Sequence, residues 1–206
     1  MENKIIVFGG TGEVGQVIVQ KLLDKEKHVY VLTRQTMESK THLNHKVGNV
    51  LDIETIEQII DQDDKIIISL GFNNSSLDTM SKGTANIIAA MKKIGAKRLV
   101  CLSAQGAGDS WNYMPDEFKE MVLNDKILKA SFHDHGIQED IVKKSDLEWT
   151  IVRPTEITGE KEKATFTKNS PAENSTFQIS KFDVAQFIVD EIEGNNFIKQ
   201  VVMITD

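Results

Sequence analysis

The strongest constraint on this chain is a glycine cluster set between two unlike patterns. Lys4 to Phe8 is a short apolar run, Val14, Val17, Ile18 and Leu22 recur at helical spacing, and Gly9-Gly10-Thr11-Gly12-Glu13-Val14-Gly15 joins them. Gly9, Gly12 and Gly15 keep a three-residue spacing, while Gly10, Gly12 and Gly15 fit the form G-x-G-x-x-G. Glycines here permit a tight strand-to-helix turn, let the backbone approach a pyrophosphate and let the helix sit close to the sheet. The free N–H groups at the helix start then favour an anion. A glycine turn serving chain geometry alone does not explain glycine at all four places. Strand, loop and helix in this order predict a dinucleotide-binding unit.

The rest of the chain repeats the theme. Further strand-length apolar runs lie at His28 to Leu32, Lys65 to Leu70, Arg98 to Leu102, Trp149 to Val152 and Gln200 to Thr205, with a short strand expected around Lys46 to Val50. They read as near-continuous apolar blocks, as in strands covered on both faces. Ile87, Ile88, Met91 and Ile94 share a helical face before the run at Arg98, and Ser180 followed by Asp183 makes a capping pattern ahead of Val184, Phe187 and Ile188. This alternation predicts an α/β, Rossmann-type, doubly wound and mainly parallel sheet with helices on both faces, its ligand crevice at the carboxyl ends of the strands. With 206 residues and no composition break, residues 1–206 read as a single domain, in which residues from about 105 to 178 supply the substrate-side loops. Gly106 to Pro115 and Thr158 to Ser175 look irregular.

Charge and cysteine usage narrow the functional classes. The net charge of −7 opposes a nucleic-acid backbone. The apolar runs are far shorter than the roughly 20 residues of a membrane span, and the N-terminus lacks a signal-peptide pattern. The single Cys101 cannot close an intramolecular disulfide, which suits a reducing compartment. The expectation is a cytoplasmic protein, a monomer or small homo-oligomer, that binds neither membrane nor nucleic acid.

The end of the second strand, about 20 residues past the glycines, is where an acid would accept from an NAD ribose. This chain has Thr33-Arg34 there. A guanidinium pairs with a 2′-phosphate, so Arg34 favours NADP(H) over NAD(H), the alternative being a solvated loop charge.

With Trp149-Thr150-Ile151-Val152-Arg153-Pro154 and Ile179-Ser180-Lys181-Phe182-Asp183-Val184-Ala185, these motifs resemble the atypical short-chain dehydrogenase/reductases. More narrowly, the chain is similar to the NAD(P)H-binding, NmrA-like group and its flavin reductase/biliverdin-IXβ reductase branch. Ser81 to Lys92 extends the likeness, which covers nearly the whole chain. The resemblance assigns Gly9, Thr11, Gly12, Glu13 and Val14 to the pyrophosphate loop and Arg34 to the 2′-phosphate. It sets Asn49 and Val50 beside adenine, where relatives often carry Asp. Gly71 and Phe72 would pass the ribose and diphosphate, Ser103 and Ala104 would lie near the nicotinamide, and Pro154, Thr155 and Ile157 would continue that wall.

Carbonyl-reducing members of the wider superfamily use a Tyr-x-x-x-Lys pair, which this chain lacks: Arg34 follows Tyr30 and Glu117 follows Tyr113 at that spacing. The candidate catalytic residues are instead Ser103 and His135, the latter near the family's lysine position and equally readable as an exposed loop or helix-start histidine. Hydride transfer to a flavin needs less, because solvent can protonate the product and the protein mainly orients two rings. Trp111 and Tyr113 are candidate substrate contacts in a flexible aromatic loop, with a surface loop pinned by one tryptophan as the alternative, and Glu156 is a candidate for protonation. His133-Asp134-His135 lacks the ligand spacing of a metal site, so no metal is expected. Cys101 reads as a buried structural thiol, and Asp61 to Asp64 as a solvated turn.

The expected function is NADPH-dependent reduction of a flavin, FMN- or riboflavin-like and bound as substrate, or of another planar acceptor. The alternatives are a nonenzymatic NADP-binding, NmrA-like redox sensor and a quinone reductase.

Overall fold

The computed structural model describes residues 3–38, 40–72, 77–163, 166–169 and 175–206. Strand β1 (Ile5–Phe8) is buried throughout and its side chains divide between two cores. Ile5 and Val7 pack on one face with helix α1 (Glu13–Asp24) and helix α6 (Lys181–Gly194). Ile6 and Phe8 point to the other face, onto α2 (Ile53–Glu57), α3 (Thr79–Ile94) and α5 (Lys126–Lys143). The period-two alternation of a strand thus explains why the apolar runs are continuous: each face has its own helical cover.

Around β1 the sheet takes in β2 (Val29–Thr33), β3 (Leu43–Val47), β4 (Lys65–Ile68), β5 (Arg98–Leu102), β6 (Glu148–Pro154), β8 (Thr167–Lys168) and β10 (Gln200–Thr205). Its order is β3-β2-β1-β4-β5-β6-β10-β8, parallel except for the β10–β8 pair. A separate parallel pair joins β7 (Glu156–Thr158) to β9 (Gln178–Ser180). The chain leaves β1 in one direction toward β2 and later in the other toward β4, so a crevice opens between the carboxyl ends of β1 and β4. Helix α4 (Asp116–Asn124) lies between β5 and α5 in sequence.

The fold therefore matches the doubly wound expectation, with local corrections. The strand expected at Lys46 to Val50 is Leu43–Val47; Gly48 to Val50 turn off the sheet end toward α2 and α3. The run from Lys65 leaves the sheet after Ile68, so Ser69 and Leu70 belong to the crevice. Asp64 is not solvated: it is 3% exposed, accepts the Asp61 and Lys4 backbone N–H groups and pairs with Lys4 Nζ at 2.9 Å. It pins the turn that launches β4 beside β1.

The irregular reading of Gly106 to Pro115 also gives way, since Gly108–Tyr113 forms a 3-10 helix. Of Thr158 to Ser175, residues 164–165 and 170–174 lie outside the described residues, and Thr167–Lys168 is the antiparallel edge strand. Cys101 is fully buried in β5, and burial pushes its thiol pKa up.

Candidate functional site

Gly9 leaves β1 at a φ of +85°, a backbone region that L side chains rarely adopt, and a Cβ there would lie 2.2 Å from the Ser69 carbonyl oxygen. A Cβ on Gly15 would lie 2.1 Å from the Gly9 carbonyl oxygen, so glycine also sets how closely α1 meets the loop. The loop closes on itself through Gly12 N–H donating to Gly9 O at 2.9 Å.

Helix starts in this molecule differ in how they are satisfied. Asp52, Asp125 and Ser180 cap α2, α5 and α6 through their side chains. Asp134 accepts from the Met80 and Ser81 N–H groups at the start of α3. Helix α1 begins at Gly12 with no side-chain cap, directly behind the glycine loop. Its first N–H groups are therefore available to an anion in the crevice.

That crevice is a cavity of about 610 Å³. Eight of the residues assigned to the cofactor line it: Gly9, Thr11, Gly12, Arg34, Asn49, Val50, Gly71 and Phe72. Arg34 is exposed, on the rim just beyond β2. The Gly48–Val50 turn is held by Gly48 N–H to Thr33 O at 2.8 Å and by Asn86 Nδ2 donating to Val50 O at 3.2 Å. Asn49 turns its Oδ1 back to the Leu51 N–H, a local cap that the isosteric Asp carboxylate would also make. The other seven assigned residues are not on this lining: Glu13 is exposed and bonded to Lys181, Val14 faces the core, and Ser103, Ala104, Pro154, Thr155 and Ile157 lie beyond it on the β5–β6 side.

Ser103 and Ala104 follow β5, and Pro154 and Thr155 end β6, so these four sit side by side: Ser103 N–H donates to Val152 O, and Gln105 N–H to Pro154 O. Glu156 and Ile157 fall instead on β7, exposed, with Glu156 bonded to Gln178. Thr155 turns toward β10, its hydroxyl 3.0 Å from that of Thr205.

Beneath Ser103 lies a polar cluster that sequence reasoning missed. The Ser103 hydroxyl donates to Glu139 Oε1 at 2.8 Å. Arg153 grips the same carboxylate with Nε on Oε1 at 2.7 Å and Nη2 on Oε2. Arg153 Nη2 also reaches Asp109, and Lys143 bonds both Glu139 and Asp109. Glu139 is fully buried and Arg153 nearly so. Burial pushes the Glu139 carboxyl up, but the bonds and charges of Arg153, with Ser103 and Lys143, outweigh it and leave the pKa lowered. The Asp109 carboxyl is held down at about 2, chiefly by its bond to Arg153.

His135 is neither in a loop nor at a helix start; it is half-buried inside α5, one turn before Glu139, and is not among the residues lining the 610 Å³ cavity. Burial pushes its pKa down. Gln138 donates through Nε2 to Thr84, so its Oε1 faces His135 Nδ1 at 3.1 Å. That arrangement puts the imidazole proton on Nδ1 and leaves Nε2 as an acceptor. The neighbouring Asp134 serves α3 as a cap, and among the described residues no group of three potential ligands could hold a metal ion.

Trp111 and Tyr113 occupy the 3-10 helix, which Asp109 ties to Arg153 and which Ser110 closes by accepting from Gly106 N–H. Trp111 is half-buried against Phe118, whose ring meets Phe132 edge-on. It lines a second cavity of about 550 Å³ between this segment, α4 and α5. Tyr113 projects outward, 85% exposed.

The family model for NAD(P)H-binding proteins matches residues 9–195. Among curated sequences, the chain is 24% identical over 179 residues to the Escherichia coli O157:H7 N-acetyl-alpha-D-glucosaminyl-diphospho-ditrans,octacis-undecaprenol 4-epimerase, covering 78% of this chain and 51% of that protein. It is 30% identical over 127 residues to a Methanocaldococcus jannaschii protein named for UDP-glucose 4-epimerase activity, covering 54% and 41%. The chain thus spans about half the length, or less, of these curated relatives. Similar solved structures match end to end. ChuY, an anaerobilin reductase from Escherichia coli O157:H7, superposes with a TM-score of 0.83 at 17% identity, covering 98% of this chain and 96% of its own. The oxidoreductase ylbE from Lactococcus lactis gives 0.82 at 21%, covering 98% and 90%. A short-chain dehydrogenase/reductase from Veillonella parvula in complex with NADP gives 0.80 at 18%, covering 100% and 95%. At these identities the three show a shared fold.

Proposed function

Because the chain belongs to the NAD(P)H-binding family, we propose that it is an NADPH-dependent reductase that passes hydride to a flavin or another planar acceptor. The observation that carries the reading is the single cavity in which the uncapped start of α1, the glycine loop, Arg34 and the Gly71–Phe72 segment converge. Its donor set suits a phosphorylated dinucleotide: backbone N–H groups for the diphosphate, and a guanidinium at the rim for a 2′-phosphate. When bound, the dinucleotide supplies the hydride.

The chain's own residues then bind and orient. Asn49 and Val50 form the wall for adenine, held from behind by Asn86. Ser103, Ala104 and Pro154, at the ends of β5 and β6, lie beyond this lining, in line with the Ser69–Leu70 strand end that borders it. With no Tyr-x-x-x-Lys pair and a low-pKa His135 whose Nε2 accepts, the protein offers a poor proton donor. Flavin and similar acceptors, which solvent can protonate after hydride arrives, fit that deficit better than a simple carbonyl. The likeness to an anaerobilin reductase supports a reductase over a nonenzymatic sensor.

The experiment is NADPH oxidation by purified protein with and without FMN, with NADH in parallel. FMN-dependent turnover favouring NADPH is expected. Equal turnover with NADH would remove the role of Arg34, and no turnover with either nucleotide would reject FMN as acceptor.

A further inference from the structure

We propose that Ser103 works as a hydrogen-bond acceptor toward the ligand cleft, locked in that polarity by Glu139, and so recognises an N–H group of the bound ligand instead of supplying a proton. The inference rests on reading the cleft as a site for a nicotinamide and a planar acceptor.

A serine hydroxyl has one hydrogen and two lone pairs. In this structure the hydrogen is committed: Ser103 Oγ lies 2.8 Å from Glu139 Oε1, and both residues are buried. A carboxylate can only accept, so the bond has one possible direction while Glu139 is ionised. Arg153 contacts both carboxylate oxygens and Lys143 a further time, which holds the charge on Glu139 in place without taking the Ser103 hydrogen. A charge-assisted bond of this kind is about twice as strong as a neutral one, so the hydroxyl does not turn outward to donate to a ligand carbonyl. Among the described residues no N–H or O–H is bonded to the Ser103 oxygen, whose lone pairs remain for a ligand.

The place of Ser103 gives those lone pairs their use. Ile68 of β4 pairs in register with Cys101 of β5, so Leu70 and Ser103 leave the sheet side by side. Leu70 and Gly71 line the cofactor cavity. Two N–H groups are chemically suited to meet Ser103 there: the carboxamide of a nicotinamide, or the ring imide of a flavin-like acceptor. Glu139 is then a positioning residue, acting on the ligand only through Ser103.

The test is a binding comparison in wild type, Ser103→Ala and Glu139→Gln. NADP+ is paired with its 3-acetylpyridine analogue, in which a methyl group replaces the carboxamide nitrogen. On NADP+-loaded protein, riboflavin is paired with N3-methylriboflavin, whose imide N–H is blocked. In wild type one of the two pairs should differ by about tenfold in Kd, the worth of one good hydrogen bond, and that pair identifies the source of the N–H. Ser103→Ala should bring the ratio close to one, and folded Glu139→Gln should shrink it by freeing the hydroxyl to rotate. If Glu139→Gln does not fold, Ser103→Ala carries the test. Ratios near one for both pairs in wild type, or a ratio that survives in Ser103→Ala, would overturn the proposal. No turnover is needed, so a protein that fails to oxidise NADPH with FMN would lose the reductase reading while these ratios still decide the role of Ser103.

Discussion

The two halves of the cleft are built from different material. On the β1–β4 side the working groups are chiefly backbone, a glycine turn at positive φ, an uncapped helix start and two loops, with the Arg34 side chain at the rim. On the β5–β6 side they are five side chains from four elements, Ser103, Asp109, Glu139, Lys143 and Arg153, joined into one ionic cluster whose Glu139–Arg153 centre is buried. A backbone site tolerates side-chain change except where a Cβ would intrude. A side-chain cluster fails when any charge loses its counterpart, because the partner is left buried and unpaired.

The largest effect expected from that contrast is on stability. Arg153→Ala leaves Glu139 buried with only Ser103 and Lys143, and breaking a buried pair from one side costs about 3–5 kcal/mol. Denaturant unfolding should show that loss, and Arg153→Ala combined with Glu139→Leu should recover much of it. If the double variant is as unstable as Arg153→Ala, the cluster is not the cause. On the opposite side, Gly9→Val should weaken NADPH binding at least about 100-fold, equivalent to about 2.7 kcal/mol, because its Cβ meets the Ser69 carbonyl while the turn demands a positive φ. Calorimetric titration checks this, and binding within threefold of wild type would refute a backbone cradle.

Smaller effects sharpen the division within each half. Arg34→Ala should raise the Kd for NADPH about 10- to 100-fold, as expected for one charge-assisted contact, and leave NADH nearly unchanged. Equal losses for both would return Arg34 to the status of a solvated charge. Trp111→Ala should raise the acceptor KM about three- to tenfold with the NADPH KM unchanged, in line with the worth of one aromatic contact. An unchanged acceptor KM would confine Trp111 to packing against Phe118.

The same contrast explains what could be read before the structure. Glycine spacing reports backbone conformation directly, so the glycine turn and the doubly wound sheet were legible from the residues, while Asn49, Gly71 and Phe72 came through the family resemblance, and all three line one crevice with Arg34. Sheet ends were less so, since Gly48 to Val50 continue the pattern of β3 while turning away from it. The β5–β6 side was mostly hidden. Glu139 and Arg153 are 14 residues apart in sequence, on α5 and β6, and only the packing of that helix under the strand end joins them. One signal was available: Arg153 stands in the run Trp149 to Pro154, whose other members are apolar or small, and a charge inside a buried strand demands a partner. Asp134 and Asp64 carried no comparable signal, because a carboxylate capping backbone N–H groups looks in sequence like any surface acid.

The smallest expected effect isolates the rim of the cluster from its centre. Asp109 bridges the 3-10 helix to Arg153, and its carboxyl is depressed to about 2, first by the Arg153 bond and then by Lys143. Its folded-state pKa lies below the unfolded value, so its contribution is complete above about pH 4 and is lost as pH falls from about 4 to about 2. Its side chain is 71% exposed, and solvent screening keeps the contribution below about 1 kcal/mol. Asp206, held down by Thr176 and Ser175, titrates in the same window, so wild type must be compared with Asp109→Asn and not with a neutral-pH reference alone. The stability difference between Asp109→Asn and wild type should be present at pH 6 and vanish near pH 2. A difference that persists at pH 2 would mean that Asp109 acts through the shape of the 3-10 segment, and would detach that segment from the ionic cluster.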